Sequence, residues 1–317
     1  MRIPRVSICI PTYRQVDYLR ETLRSVQVQD FEDYELIISD DSPDDTVQQL
    51  VASFGFDDRL RYYRNPVALG SPENWNAAVR YAQGDYIKIM HHDDRFTDPK
   101  ALSAFVRLLD EQPDADFAFS ASSAESSTGE KNTYNSPGQA QVKEIIKNPE
   151  KLFLRNIIGA PSATIYRKNL SIEYDSNLQW LVDVDFYIRV FLRNSTIAYT
   201  SECLIATTTN ASHQITRICK NNAAIEMFEH LYLYQKLAFK ISGDTSYESL
   251  WFRLFEKYRI YSQTDLNKHG IKEPSTANIL QPFFNKYRHV WLQRTPYRIY
   301  ARLPDTIKGI IRFLTNR

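Results

Sequence analysis

The sequence predicts an α/β fold: a largely parallel sheet covered by helices on both faces. Three observations carry this reading. Short β-branched and apolar runs alternate with amphipathic helical stretches through the first hundred residues, and the connections between them are short. Two of those runs lead into acidic doublets, Asp40-Asp41 and Asp93-Asp94. In an open α/β sheet the carboxyl ends of the strands border the ligand crevice, so carboxylates there suit a cation and a polar ligand.

Val6 to Ile10 is a β-branched run that Pro11-Thr12 is expected to close, and Tyr18 to Val28 places Leu19, Leu23 and Val26 at helical spacing. Tyr34 to Ser39 reads as the second strand. Ser42-Pro43-Asp44-Asp45-Thr46 supplies cap and first-turn signals for a helix through Val47, Leu50 and Val51. Leu60 to Arg64 is a short third strand, Glu73 to Ala82 a helix stopped at Gly84, and Tyr86 to Met90 a fourth strand. Asp98 to Glu111 follows as a helix with an apolar stripe of Leu102, Phe105, Val106 and Leu109. Phe117 to Ser120 reads as a strand, and Ser122 to Ala140, rich in Ser, Gly, Asn and Thr, as a mobile loop or hairpin. Ile157 to Tyr166 is expected as a strand region, Val184 to Arg193 as a helix and Thr196 to Thr208 as a strand pair.

Beyond about Asn221 the pattern turns helical and aromatic, so the chain divides into a domain over residues 1–220 and a helical extension over 221–317. The extension ends in a basic amphipathic tail. Between Arg288 and Arg317 seven Lys or Arg face the single acid Asp305, and Ile307, Ile310, Ile311 and Leu314 keep helical spacing. Such a helix either lies on an anionic membrane surface or packs its apolar side on the protein, and both readings stay open.

A formal net charge of +1 with 24% charged residues argues against a nucleic-acid partner held by overall charge. Cys9, Cys203 and Cys219 are few, odd in number and widely spaced, so neither a disulfide framework nor a zinc site is expected. Met1-Arg2-Ile3-Pro4 leads into the first strand without a signal-peptide apolar stretch, and no segment approaches about 18 consecutive apolar residues. A cytoplasmic location is the expectation, peripheral on the inner face of the membrane if the tail binds lipid.

The order of motifs is more specific than any one of them. Val6-Ser7-Ile8-Cys9-Ile10-Pro11-Thr12-Tyr13, Ile38-Ser39-Asp40-Asp41-Ser42, Asn74 to Gly84, His91-His92-Asp93-Asp94 and Asp183-Val184-Asp185-Phe186-Tyr187-Ile188-Arg189 follow one another in that order. Over roughly residues 4–215 this resembles the family-2 inverting glycosyltransferases, whose GT-A fold is Rossmann-like with a mixed, mostly parallel sheet.

The resemblance implies a site. Pro11, Thr12 and Tyr13 would line the nucleobase, and Asp41, with Asp40 beside it, would accept from the base N–H edge. An ionised carboxylate accepts only, which suits the ring imide of a UDP- or dTDP-sugar donor. Read without the resemblance, Asp40 and Asp41 cap the next helix. The second doublet corresponds to the family's metal motif, with His91 where the first acid is usual. Asp94 and Asp93 would hold Mn²⁺ or Mg²⁺ against the donor diphosphate, with Asp93 also on the nucleotide. Because adjacent strand residues face opposite ways, His91 and His92 are not expected to share a zinc ion.

In Trp180-Leu181-Val182-Asp183-Val184-Asp185, Val182 replaces the first acid of the family's pair. Asp183 is the expected general base and Asp185 the runner-up; as plain helix residues, both would sit favourably in a first turn. His91, His213 and Arg217 are further candidates around the donor. The implied partners are a nucleotide-sugar donor and a saccharide or lipid-linked saccharide acceptor, in bacterial surface polysaccharide synthesis. Two alternatives remain: a sugar-1-phosphate nucleotidyltransferase, disfavoured by the lack of a Gly-rich phosphate loop after the first strand, and a non-catalytic nucleotide- or carbohydrate-binding protein.

Overall fold

In the computed structural model, residues 3–126, 132–211, 213–241, 243–272 and 279–287 are described. The chain folds into two compact units, Met1–Asn221 and Asn222–Arg317.

The first unit is built on a nine-stranded sheet. Its parallel half comprises β1 (Val6–Thr12), β2 (Tyr34–Asp40), β3 (Leu60–Arg64) and β4 (Tyr86–Ile89), with β1 paired in parallel to β2 and β4, and β2 to β3. Every residue of β1, β2 and β4 is buried. That is why these strands read as near-continuous apolar runs rather than as alternating ones. The connecting helices are α1 (Val16–Gln27), α2 (Thr46–Ala52) and α3 (Glu73–Tyr81).

β1 runs two residues further than the sequence suggests, because Pro11 and Thr12 stay in parallel register with Ser39 and Asp40. The Asn74 side chain secures both strand ends, donating to the Thr12 carbonyl at 3.3 Å and the Ser39 carbonyl at 3.1 Å. After α3 the chain passes so close to β1 that a Cβ on Gly84 would meet the Ser7 nitrogen at 2.7 Å, which only glycine avoids.

The other half is mixed. After a two-residue strand β5 (Arg95–Phe96) and helix α4 (Ala101–Asp110) come β6 (Phe117–Ser126), β7 (Thr133–Asn135), α5 (Gln139–Lys147), β8 (Thr164–Arg167), α6 (Val182–Arg193), β9 (Ile197–Thr209) and α7 (Ile215–Cys219). The main path runs β3-β2-β1-β4-β8-β6-β9-β5, with β7 hung on β6. β8 is antiparallel to β4 and β6, β9 is parallel to β6, and β5 is antiparallel to β9.

Several expectations are corrected here. β6 continues past Ser120 to Ser126, and its antiparallel pairing with β7 is the hairpin, one of the two readings of the polar stretch from Ser122. Only Thr164–Arg167 of the expected strand over Ile157–Tyr166 is strand; Ile157 and Ile158 are buried in a turn, and Pro161–Ala163 is a 3-10 turn. Ile197–Thr209 is one strand with a bulge near Ala121, not a pair. β5 and α5 have no counterpart in the sequence reading.

The second unit contains α8 (Ala223–Lys236), α9 (Ala238–Ile241), α10 (Ser246–Tyr258) and α11 (Gln263–Lys268), and residues 279–287 are helical. Asn222 caps α8 by accepting from Ala224 and Ile225 N–H. Trp251 and Phe255 centre an aromatic core with Tyr234, Phe283 and Phe284, and buried Glu226 accepts from Lys257 at 2.7 Å. No helix among the described residues is long and apolar enough to cross a membrane. The expected basic tail lies outside the described residues.

Candidate functional site

The carboxyl ends of the strands open on one cleft of about 650 Å³. Its floor is the turn His91-His92-Asp93-Asp94 that follows β4; one wall is the start of α6 with Asp183, and the other is the end of β9 with the loop to α7.

The turn is held from three sides. Asp94 N–H closes it on the His91 carbonyl at 3.1 Å. The Thr22 hydroxyl of α1 lies 2.9 Å from the His92 carbonyl and 2.7 Å from that of Asp94. From β9, Thr208 N–H donates to Asp94 Oδ1 at 3.3 Å and Thr208 Oγ1 to the Asp93 carbonyl at 2.5 Å. His91 N–H donates to Ser162 Oγ at 2.9 Å, and its ring packs on Trp75 at 4.6 Å between centroids. Beneath the turn, Lys88 is fully buried in β4, donates to the Ser162 and Ile89 carbonyls, and lies over the Phe105 ring.

Among the described residues, two sets of ligating atoms, each within 4.8 Å, share Asp93: His91-Asp93-Asp94 and His92-Asp93-His213. Because β4 ends at Ile89, the two histidines are turn residues and strand alternation does not place them; they fall into different sets. His213 Nε2 lies 3.1 Å from Asp93 Oδ2, and Gln214 Nε2 donates to the same oxygen at 3.3 Å.

The electrostatics suit a cation. Burial, then the charge of Asp93, pushes the Asp94 carboxyl well up, partly offset by the Ser162 hydroxyl and Thr208 N–H. Burial acts the same way on Asp93, but the His213 hydrogen bond and the neighbouring imidazoles outweigh it and hold that carboxyl low. Burial keeps His91 neutral, lowering it to about 4, and lowers His92 as well. Asp94 Oδ2, His91 Nε2 and His92 Nε2 are buried with no hydrogen bond of ordinary geometry. Neutral imidazoles, an Asp93 carboxylate held ionised, and unused lone pairs on Asp94, His91 and His92 fit a divalent cation such as Mn²⁺ or Mg²⁺, whose charge would favour the ionised form of Asp94.

The first doublet lies elsewhere. Asp40 is fully buried, accepting from Ser42 N–H at 2.8 Å and Tyr62 OH at 2.6 Å. Asp41 accepts from Asn65 Nδ2 at 2.8 Å, Leu69 N–H at 3.0 Å and Gly70 N–H at 2.8 Å, which fixes the 65–70 loop. Pro11 lines the cleft; Thr12 is buried with an unpartnered Oγ1; Tyr13 is 46% exposed with the Arg14 guanidinium over its ring. Neither carboxylate of this doublet lines the cleft.

α6 begins at Val182, so Asp183 and Asp185 both fall in its first turn, with Leu181 at the cap. Asp183 lines the cleft and accepts from Asn156 Nδ2 at 2.9 Å. Asp185 is 1% exposed, does not line the cleft, and pairs with Arg189 Nε at 2.7 Å. Arg217 and His213 line the cleft as well. Trp75, Thr208 and Lys220 also line it; Trp75 falls within the Asn74 to Gly84 motif without being singled out there, and no motif marks Thr208 or Lys220.

Residues 7–174, more than half of the 317-residue chain, match the family model described as Glycosyl transferase family 2. The chain is 30% identical over 190 residues to the putative colanic acid biosynthesis glycosyl transferase WcaA of Escherichia coli (strain K12), covering 59% of this chain and 66% of that one. The chain thus spans slightly less than two thirds of that relative. Residues 1–349 of S. aureus TarS, solved in complex with UDP-GlcNAc, superpose with a TM-score of 0.59 at 19% identity, covering 94% of this chain and 83% of that one. The mannosyltransferase PcManGT from Pyrobaculum calidifontis, solved with GDP-Man and Mn²⁺, gives 0.56 at 13% identity, covering 95% and 84%. Both structural likenesses concern the fold.

Proposed function

Because the chain belongs to glycosyl transferase family 2 and has the GT-A fold, we propose that it moves a sugar, with inversion, from a UDP- or dTDP-linked donor to a hydroxyl of a saccharide in polysaccharide synthesis. The observation that carries this is the meeting of Asp183 with the His91–Asp94 turn across one cleft. A base and a diphosphate-binding centre lining the same cleft are what a displacement at an anomeric carbon requires.

Asp183 takes the proton of the acceptor hydroxyl as that oxygen bonds to the anomeric carbon. The bond from that carbon to the diphosphate breaks, and its electron pair leaves on the nucleoside diphosphate. Asp93 and Asp94, with His91, would hold a divalent cation, which when bound would supply positive charge to the departing diphosphate. Arg217 adds a cation on the α7 side of the cleft.

For the base, Asp41 offers a simple count. A carboxylate presents about four acceptor directions; the 65–70 loop uses three of them. One direction is left for one donor, which is what the single imide N–H of uracil or thymine supplies. Thr12 Oγ1, buried without a partner, is a second contact for the nucleoside.

Thermal unfolding with UDP, dTDP, GDP and ADP, with and without Mn²⁺, tests the donor site. A ligand held at about 100 times its Kd adds about 2.7 kcal/mol. A shift confined to uridine and thymidine diphosphates, dependent on Mn²⁺ and lost in Asp94→Asn, is the expected result. Absence of a shift with all four would remove the donor site from this cleft.

A further inference from the structure

Residues 156–159 form the turn that enters the cleft wall at Ala160 and Pro161. Asn156 ties it with both ends of its amide. Its Oδ1 accepts from Ile158 N–H and Gly159 N–H, each at 3.0 Å, while Nδ2 lies 2.9 Å from Asp183 Oδ2 and 3.2 Å from the Gly159 carbonyl. With two backbone donors on the oxygen, the amide has one sensible orientation, and its N–H side faces the carboxylate.

α6 holds the same turn a second time, one helical turn along. Tyr187 OH donates to the Gly159 carbonyl at 3.1 Å, and residues 183 and 187 share a helix face. Gly159 sits at φ +94°, where a Cβ would lie 3.1 Å from the Asn135 amide nitrogen, and that amide in turn donates to the Ile157 carbonyl at 3.0 Å. The turn is therefore fixed by contacts to β7 and α6 as well as by Asn156 itself.

We propose that Asn156 is a positioning residue for the transfer reaction: its side-chain N–H on Oδ2, together with the Val184 N–H on Oδ1 at 2.8 Å, holds the Asp183 carboxylate in the orientation from which it meets the acceptor hydroxyl. The inference rests on Asp183 being the base. A carboxylate turns easily about its last side-chain bond, and a reacting group misplaced by about 1 Å costs about a hundredfold in rate.

Two variants separate this role from mere support of the turn. Asn156→Asp keeps an oxygen for the Ile158 and Gly159 amides and replaces the donated hydrogen bond by a like charge. Asn156→Ala removes both functions. UDP release is followed from UDP-glucose or UDP-N-acetylglucosamine, whichever the wild type turns over faster with water as acceptor, and amide exchange at residues 158 and 159 is followed alongside.

In N156D, kcat should fall at least about tenfold with the donor KM within about twofold and the two amides still protected; N156A should lose kcat and amide protection together. An N156D protein with wild-type kcat, or one whose loss of kcat comes with loss of the two amides, reduces Asn156 to a turn residue and overturns the proposal. Asp183→Asn with undiminished turnover would instead overturn the base assignment itself.

Discussion

Asp183 and Asp185 are two residues apart on one helix, about 200° around its axis, and their surroundings follow from that angle. Asp183 faces the cleft and Asn156; Asp185 is buried against Arg189, whose Nη2 also donates to the Glu173 carbonyl at 2.7 Å. Asp185→Asn leaves a partly buried guanidinium without its counter-charge and should cost about 2 kcal/mol of stability, while turnover per folded molecule persists. Asp183→Asn should do the reverse: stability within about 1 kcal/mol of wild type and kcat lower by at least about a hundredfold. Denaturant unfolding and UDP release on the same preparations check both, and a folded but inactive Asp185→Asn would move the base to that position. The first doublet divides in the same way. Asp40 is closed off from solvent and holds Ser42 and Tyr62 inside the protein, whereas Asp41, slightly exposed, binds the 65–70 loop and keeps one acceptor direction. Sequence adjacency showed where carboxylates gather but not which one is structural, because that depends on Tyr62 and the 65–70 loop, both distant in the chain.

Among the elements, β4 departs furthest from an ordinary core strand, for it buries Lys88 among Phe96, Phe105 and the carbonyls of Ile89 and Ser162. Burial lowers this amine to about 7, against the opposing pull of the Asp94 charge. In the unfolded chain the same amine titrates near about 10.4. Between pH 7 and that value the unfolded state holds a proton the folded state has released, so this residue makes stability rise with pH across the window. Lys88→Met lacks the titration; the stability of the wild type relative to this variant should therefore increase from pH 7 to pH 10. Denaturant midpoints that differ by a constant amount over that range would show that the folded amine is not shifted. Periodicity located β4 despite the lysine, since its flanks are apolar. It misread Ile157–Ala163, where Ile157 and Ile158 are apolar because they are buried in a turn, and burial leaves the same sequence trace in a turn as in a strand. It also stopped β6 at Ser120, because Ser122 and Ser123 are buried yet polar.

At the scale of the whole molecule, the parallel strands β1, β2 and β4 carry residues that are buried throughout, while the 65–70 loop depends on Asp41 and exposes Val67 at 76%. Native-state hydrogen exchange should therefore be slowest in those three strands, close to the global unfolding limit, and the Leu69 and Gly70 amides should exchange through local opening. UDP with Mn²⁺ should slow the loop amides selectively; uniform protection across the sheet, or none, would place the nucleotide away from Asp41. The β-α alternation, the acidic strand ends and the order of the motifs were legible in the chain because each depends on residues close in sequence, through side-chain periodicity and turn chemistry. From them came the α/β class, the family resemblance and the segments that supply the cleft. The antiparallel half of the sheet was decided only in three dimensions, since β4, β8, β6 and β9 pair across tens of residues and nothing local encodes partner or direction. So was the grouping of Asp93 with His213, 120 positions away, and of Asp183 with Asn156. A hydrogen bond between distant residues leaves no periodic signal in the sequence, because the fold supplies the proximity that makes it.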